Sequence, residues 1–186
     1  MVSQAKLDRR LVDEFTELGD DEPGNIQPEL HVVGLSSQDV VAIVEHLNHL
    51  GARWNDRTFH LNAEGIDVTV SERPDVAALV VGGQASSACV GADGVGLDGV
   101  ELPTLSMFIH TDAVEFFWDT GPPWTEQHVP AFLALMGQLL DLAPNAALRP
   151  DPTYSEEHRK LLGRLIGEAI GRPERIDYGR PWRPAA

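Results

Sequence analysis

Short apolar runs that are typical of β-strands fill the middle of this sequence, and amphipathic helical patterns lie at both ends. Strands are predicted at residues 30–33, 58–61, 66–70, 76–81, 105–111 and 114–118. Residues 82–104 are rich in glycine and are expected to form a long loop or a weak strand. Strands grouped between helices predict an α+β fold, with an antiparallel sheet of about five or six strands and helices packed on it in two layers.

Four helices are predicted from apolar residues spaced three and four positions apart. The first covers residues 4–18. The second is capped by Ser36 or Ser37 and ends at Gly51. Two more helices close the chain, one after Thr125 and one that begins with a capping-box pattern at 153–156.

The length of 186 residues suits one domain. We expect a single α+β domain over 1–174, in which 1–19 form the N-terminal helix and 20–28 an acidic linker. Residues 175–186 are expected to be a C-terminal tail that is either disordered or a strap across the domain.

Negative charge dominates the composition. The chain has 29 Asp and Glu against 14 Lys and Arg, which gives a formal net charge of −15. No Lys or Arg occurs between Arg73 and Arg149. Such a chain repels nucleic acid and anionic membranes, and it attracts basic proteins or cations. Acidity also has a plainer explanation, because a high net charge keeps proteins soluble.

Cysteine usage and the N-terminal sequence favour a cytoplasmic location. Cys89 is the only cysteine, which excludes a disulfide within the chain. The first residues lack the apolar run of a signal peptide, and no stretch approaches the ~20 apolar residues of a membrane span. Arginine outnumbers lysine in a background of Ala, Gly, Val and Asp, a bias typical of a GC-rich bacterial genome.

Two patterns resemble ligand sites, and neither is convincing. Residues 94–99 match the glycine spacing of a dinucleotide fingerprint, but nothing after them starts the required helix. The same loop has too few clustered oxygen ligands for calcium. His46 and His49 share a helix face but lack a third ligand. We therefore predict no cofactor and no metal site, and expect that neither metals nor nucleotides stabilise the fold.

No catalytic residues are predicted either. Ser86 and Ser87 have no base in their sequence context, and Cys89 has no basic neighbour in sequence that would stabilise a thiolate.

The most unusual segment contains two tryptophans on either side of a stiff Gly-Pro-Pro turn. We predict that Trp118, Asp119, Trp124 and Glu126 belong to a partner-binding surface. A stiff turn presents its flanking side chains at little entropic cost, and aromatic residues surrounded by charge are typical of binding hot spots. The competing interpretation is that both indoles are packed in the core.

These features favour a non-catalytic acidic binding protein. The main hypothesis is a bacterial immunity protein or antitoxin that inhibits a toxin with a basic surface. Under this hypothesis the chain contacts neither nucleic acid nor membrane directly, and its oligomeric state is left open. The alternatives are an adaptor or secretion-type chaperone, and an enzyme whose site is assembled from residues distant in sequence.

Overall fold

A computed structural model describes residues 8–16, 29–55, 57–118 and 124–179. Within these ranges the helices are α1 (Arg9–Thr16), α2 (Ser37–His49), α3 (Val76–Val81), α4 (His128–Leu142) and α5 (Glu156–Ile170). The strands are β1 (Glu29–Val33), β2 (Arg53–Trp54), β3 (Thr58–Leu61), β4 (Ile66–Thr69), β5 (Ala88–Asp93), β6 (Gly96–Leu97), β7 (Val100–Glu101), β8 (Leu105–Ile109), β9 (Ala113–Phe117) and β10 (Ala147–Pro150).

Six strands form the central sheet, in the order β10-β1-β9-β8-β5-β2, and all neighbours are antiparallel. Side chains of a strand alternate between the two faces of its sheet. One face carries buried apolar residues from each of the four inner strands, such as Val32, Val90, Met107 and Val114, and the helices pack on it. The predicted two-layer α+β fold with an antiparallel sheet is confirmed.

The prediction for residues 76–81 was wrong, because they form helix α3 instead of a strand. The buried positions Val76, Ala77, Leu79 and Val80 follow helical spacing, and α3 packs against α2. An unbroken apolar run of this length has no polar residue to mark a period, so its sequence fits a buried strand equally well.

The glycine-rich region contains more structure than a loop. Strand β5 pairs with both β8 and β2, and β6 and β7 form a small hairpin. The Asn55 side chain occupies the space that a side chain at Gly91 of β5 would need. The Asn55 Oδ1 accepts a hydrogen bond from the Gly91 N–H at 3.0 Å. Small residues give a weak strand signal, which is why the sequence underestimates β5.

The helix ends largely follow their sequence signals. Ser36 caps α2, and it forms a capping box with Asp39. Gly171 ends α5 in the left-handed conformation, with φ of 70°. The cap of α5 is Ser155, whose Oγ accepts a hydrogen bond from the His158 N–H at 3.1 Å. The helix therefore begins after Ser155 and not after Thr153, where the predicted capping box starts.

The chain that follows α5 lies along the edge of the sheet. Ile176 forms a parallel bridge with Leu148 of β10, and the Asp177 N–H donates to the Leu148 carbonyl at 2.8 Å. The predicted tail therefore begins with an ordered stretch, and residues 180–186 lie outside the described ranges. None of the described helices has the length and apolar character needed to cross a bilayer.

Candidate functional site

The two tryptophans of the predicted binding segment are packed in the core. Trp118 is 3% exposed and Trp124 is 4% exposed. The Phe15 ring of α1 stacks on Trp118 at 4.5 Å and lies 5.2 Å from Trp124. This burial fits the competing interpretation of the segment, because a buried indole offers no contact area to a partner.

Of the two acidic residues in that segment, the structure describes only Glu126. Glu126 is exposed near the start of α4 and pairs with Arg9 of α1. Asp119 lies outside the described residues. A role of Trp118, Asp119, Trp124 and Glu126 in partner binding therefore stays a prediction.

The acidic stretch between Arg73 and Arg149 is partly neutralised by arginines from elsewhere. Four of its carboxylates have an arginine nitrogen within 4.0 Å: Asp75 with Arg73, Glu101 with Arg53, Glu126 with Arg9, and Asp141 with Arg172. Within the described ranges, Asp93, Asp98 and Asp112 have no such partner. These three residues lie at the end of β5, in the β6–β7 turn and in the β8–β9 turn.

The sheet face away from the helices, which we call the open face, carries a group of titratable and aromatic side chains. Its side chains include Glu29, His31, Cys89, Phe108, Glu115 and Phe117. Phe108 is 36% exposed, while Glu29, Cys89 and Glu115 are half-buried. Strand register puts them there, because His31 is directly opposite Glu115, which is opposite Phe108, which is opposite Cys89.

His31 lies between two carboxylates on this face. Its Nε2 is 3.0 Å from the Glu29 Oε2, and its Nδ1 is 3.6 Å from the Glu115 Oε1. Glu29 and His31 are two positions apart on β1, so they share a face. The three side chains offer one ligand atom each within 4.8 Å of one another, which makes them candidate metal ligands.

The other carboxylate oxygen of Glu115 lies near a second histidine, His110. The Glu115 Oε2 lies 3.2 Å from the His110 Nε2, and the His110 Nδ1 is 2.9 Å from the Ser87 Oγ. The fold thus brings to Ser87 a histidine that its sequence context does not contain. A histidine beside a serine hydroxyl and a carboxylate contains the groups of a general-base arrangement, and here they lie on an open sheet face.

Cys89 also has a neighbour that its sequence context does not reveal. The Arg57 Nη1 lies 2.9 Å from the Cys89 Sγ, so the fold supplies a basic neighbour that is distant in sequence. Arg57 is close to Cys89 because the chain after β2 runs beside β5.

The two patterns judged unconvincing from sequence lie on α2 and around the β6–β7 hairpin. The His46 Nε2 is 2.8 Å from the Gln138 Oε1, and the His49 Nδ1 is 2.7 Å from the backbone carbonyl of Glu45. Residues 94–99 lie in and beside the β6–β7 hairpin and open no helix, which a dinucleotide site would need.

The start of β1 lies in a negative environment. Burial, followed by the charges of Glu14, Asp151 and Glu29, raises the pKa of the Tyr154 phenol above its ordinary value. Asp151 itself is only 1% exposed, and its Oδ2 has no hydrogen-bond partner among the described residues.

Sequence reasoning missed the cluster on the open face, because its members come from distant strands. Glu29 and His31 share a face by simple alternation, which the sequence could have revealed. Their position opposite Glu115 depends on the pairing of β1 with β9, which no local pattern specifies. Comparisons with protein-family models, with curated proteins and with solved structures find no match to this chain.

Proposed function

We propose that this chain is a non-catalytic acidic protein that binds and inhibits a basic protein partner in the bacterial cytoplasm, in the manner of an immunity protein or antitoxin. The observation that carries the proposal is an exposed aromatic ring, Phe108, which lies directly opposite Glu115 on an open sheet face of a chain with net charge −15. We therefore propose Phe108 as the aromatic anchor, in place of the buried Trp118 and Trp124.

The position of Phe108 suits an anchor. Its ring lies 5.5 Å from the ring of Phe117 and 6.0 Å from that of His110, so its neighbours hold it in place. An aromatic side chain that is already positioned loses little freedom on binding. Hot spots are often such rings at the centre of an interface.

Glu115 supplies negative charge beside the ring, because it is directly opposite Phe108 in the sheet. Asp93 adds charge on the same face, at the far end of the neighbouring strand β5. Arginine binds carboxylates through two parallel hydrogen bonds, so an arginine-rich surface would match this face. Many toxins that act on nucleic acids need such a basic surface.

The proposal is tested first by finding the partner and its effect. The full chain is used as bait, and the captured protein is then expressed alone and together with this chain. We expect a basic protein that stops growth alone and is tolerated on co-expression. A captured protein that is harmless alone would favour the adaptor or chaperone alternative. Loss of protection in Ser87→Ala, with folding intact, would favour the enzyme alternative.

The interface is tested by a matched pair of substitutions. Phe108→Ala is expected to weaken binding roughly tenfold or more, about 1.4 kcal/mol, at a nearly unchanged melting temperature. Ile66→Ala is the control, because Ile66 is 51% exposed on β4, outside the open face. Equal affinities of both variants and the unmodified chain would exclude Phe108 as the anchor.

A further inference from the structure

His31 lies between two carboxylates, and little solvent reaches it. Its side chain is 9% exposed, and each of its ring nitrogens faces a carboxylate oxygen. Glu29 and Glu115 thus bring two acidic side chains to one nearly buried ring.

His110 adds an unsatisfied group to the same place. Its Nε2 is buried and forms no hydrogen bond with the described residues, although it lies 3.2 Å from the Glu115 Oε2. The cluster therefore has two imidazoles and two carboxylates, with one buried ring nitrogen that no described residue satisfies. A cation between the side chains would compensate the charge of both carboxylates.

We propose that Glu29, His31 and Glu115 bind a divalent transition-metal ion of the Zn²⁺ class. One donor atom from each residue lies within 4.8 Å of the others, so small rotations about side-chain bonds bring all three to one ion. A histidine nitrogen with carboxylate oxygens suits zinc and its neighbours, whereas Mg²⁺ and Ca²⁺ prefer oxygen ligands alone. His110 contacts a ligand carboxylate and is a positioning residue.

The arginine opposite His31 is already paired with a carboxylate. Arg149 is opposite His31 on β10, but its guanidinium binds Asp177, with Nε 3.0 Å from Oδ2. Sequence patterns point only to His46, His49 and the glycine-rich loop as metal candidates, so a metal at this cluster differs from the sequence-based expectation. The site requires no protein partner and can be tested on the chain alone.

The test is a titration of the full chain after treatment with a chelator and dialysis. Calorimetry with Zn²⁺ is expected to give one equivalent of binding, and Co²⁺ is expected to give visible d–d absorbance with the same stoichiometry. A saturating ion should also raise the melting temperature, because it binds only the folded state. Mg²⁺ is expected to have no such effect.

Two nearly isosteric variants locate the site. Glu29→Gln and Glu115→Gln keep the shape of each side chain but remove its charge, and each is expected to weaken Zn²⁺ binding roughly tenfold or more. The matched control is Asp67→Asn, because Asp67 contacts His60 at 2.8 Å in another histidine–carboxylate pair, on the β3–β4 hairpin. Melting curves without metal check that each variant is folded.

Absence of Zn²⁺ and Co²⁺ binding by the folded chain would overturn the proposal. So would unchanged affinity in both glutamine variants, or loss of binding in His49→Ala, which would place the ion on α2. None of these outcomes depends on the protein partner, so failure of the metal site and failure of the proposed function are distinguishable.

Discussion

At the scale of single residues, the aromatic side chains join elements that are distant in sequence. Phe15 of α1 stacks on Trp118 after β9, and Phe132 of α4 lies 5.3 Å from Trp118 and 5.8 Å from Trp124. Aromatic pairs at such distances add to the stabilisation from buried area. The cluster therefore fixes α1 and α4 on the sheet, and it accounts for two tryptophans so near each other in the sequence.

Truncation of Trp124 tests this role. Trp124→Ala is expected to lower the free energy of unfolding by about 3–5 kcal/mol, because it leaves a large cavity beside Phe15 and Phe132. Urea denaturation measures the loss. Glu126→Gln, two positions away and exposed, is the control and should change stability by less than about 0.5 kcal/mol. A loss below about 1 kcal/mol for Trp124→Ala would mean that the indole contributes little to the core.

At the scale of elements, two glycines let α5 lie close to the C-terminal segment. A Cβ atom at Gly163 would lie 2.8 Å from side-chain atoms of Ile176 and Tyr178. A Cβ atom at Gly167 would lie 2.9 Å from the backbone of Pro173. These residues are one helical turn apart and present a smooth surface, so the glycines serve packing although glycine is a poor helix former.

A pair of glycine-to-alanine substitutions separates packing from helix propensity. Gly167→Ala is expected to destabilise the fold by about 1–2 kcal/mol, because the overlap with Pro173 outweighs the gain in helix propensity. Gly137→Ala in α4 meets nothing within 4 Å and is expected to stabilise the fold by up to about 1 kcal/mol. Urea denaturation compares both. If both variants are stabilised, the close approach of α5 to residue 173 is not required for the fold.

The elements also show where sequence reasoning succeeds. The hairpin β8–β9 was predicted because its residues alternate clearly and a polar turn joins them. Helix α3 was missed because its six residues are all apolar, and β10 was missed because it is short and ends in Pro150. The cluster of His31 with Glu115 was out of reach, since it depends on strand order and register rather than on spacing along the chain.

At the scale of the whole molecule, the net charge of −15 is spread unevenly. Ion pairs such as Asp141 with Arg172 neutralise part of it, whereas Asp93, Asp98 and Asp112 have no basic side chain within 4.0 Å among the described residues. A surplus of one sign attracts an oppositely charged protein over distances of about the Debye length. This effect acts on the rate of association more than on the rate of dissociation.

The rate of association with the captured partner is therefore expected to fall as salt rises. Between roughly 50 and 500 mM salt the Debye length decreases about threefold, so we expect a decrease of about tenfold or more in the association rate constant. Stopped-flow fluorescence measures it, and the dissociation rate should change much less. A constant association rate over this range would remove the electrostatic basis of the proposed function.

The position of Ile176 and Asp177 beside β10 has a consequence for how the sheet can be extended. An edge strand normally leaves a row of backbone groups with which another chain can pair. Here the segment after α5 uses this edge, because the Asp177 N–H already donates to the Leu148 carbonyl. A second molecule or a peptide that adds a strand at this position would first have to displace residues 176–177, so this segment protects the edge of β10 from strand addition.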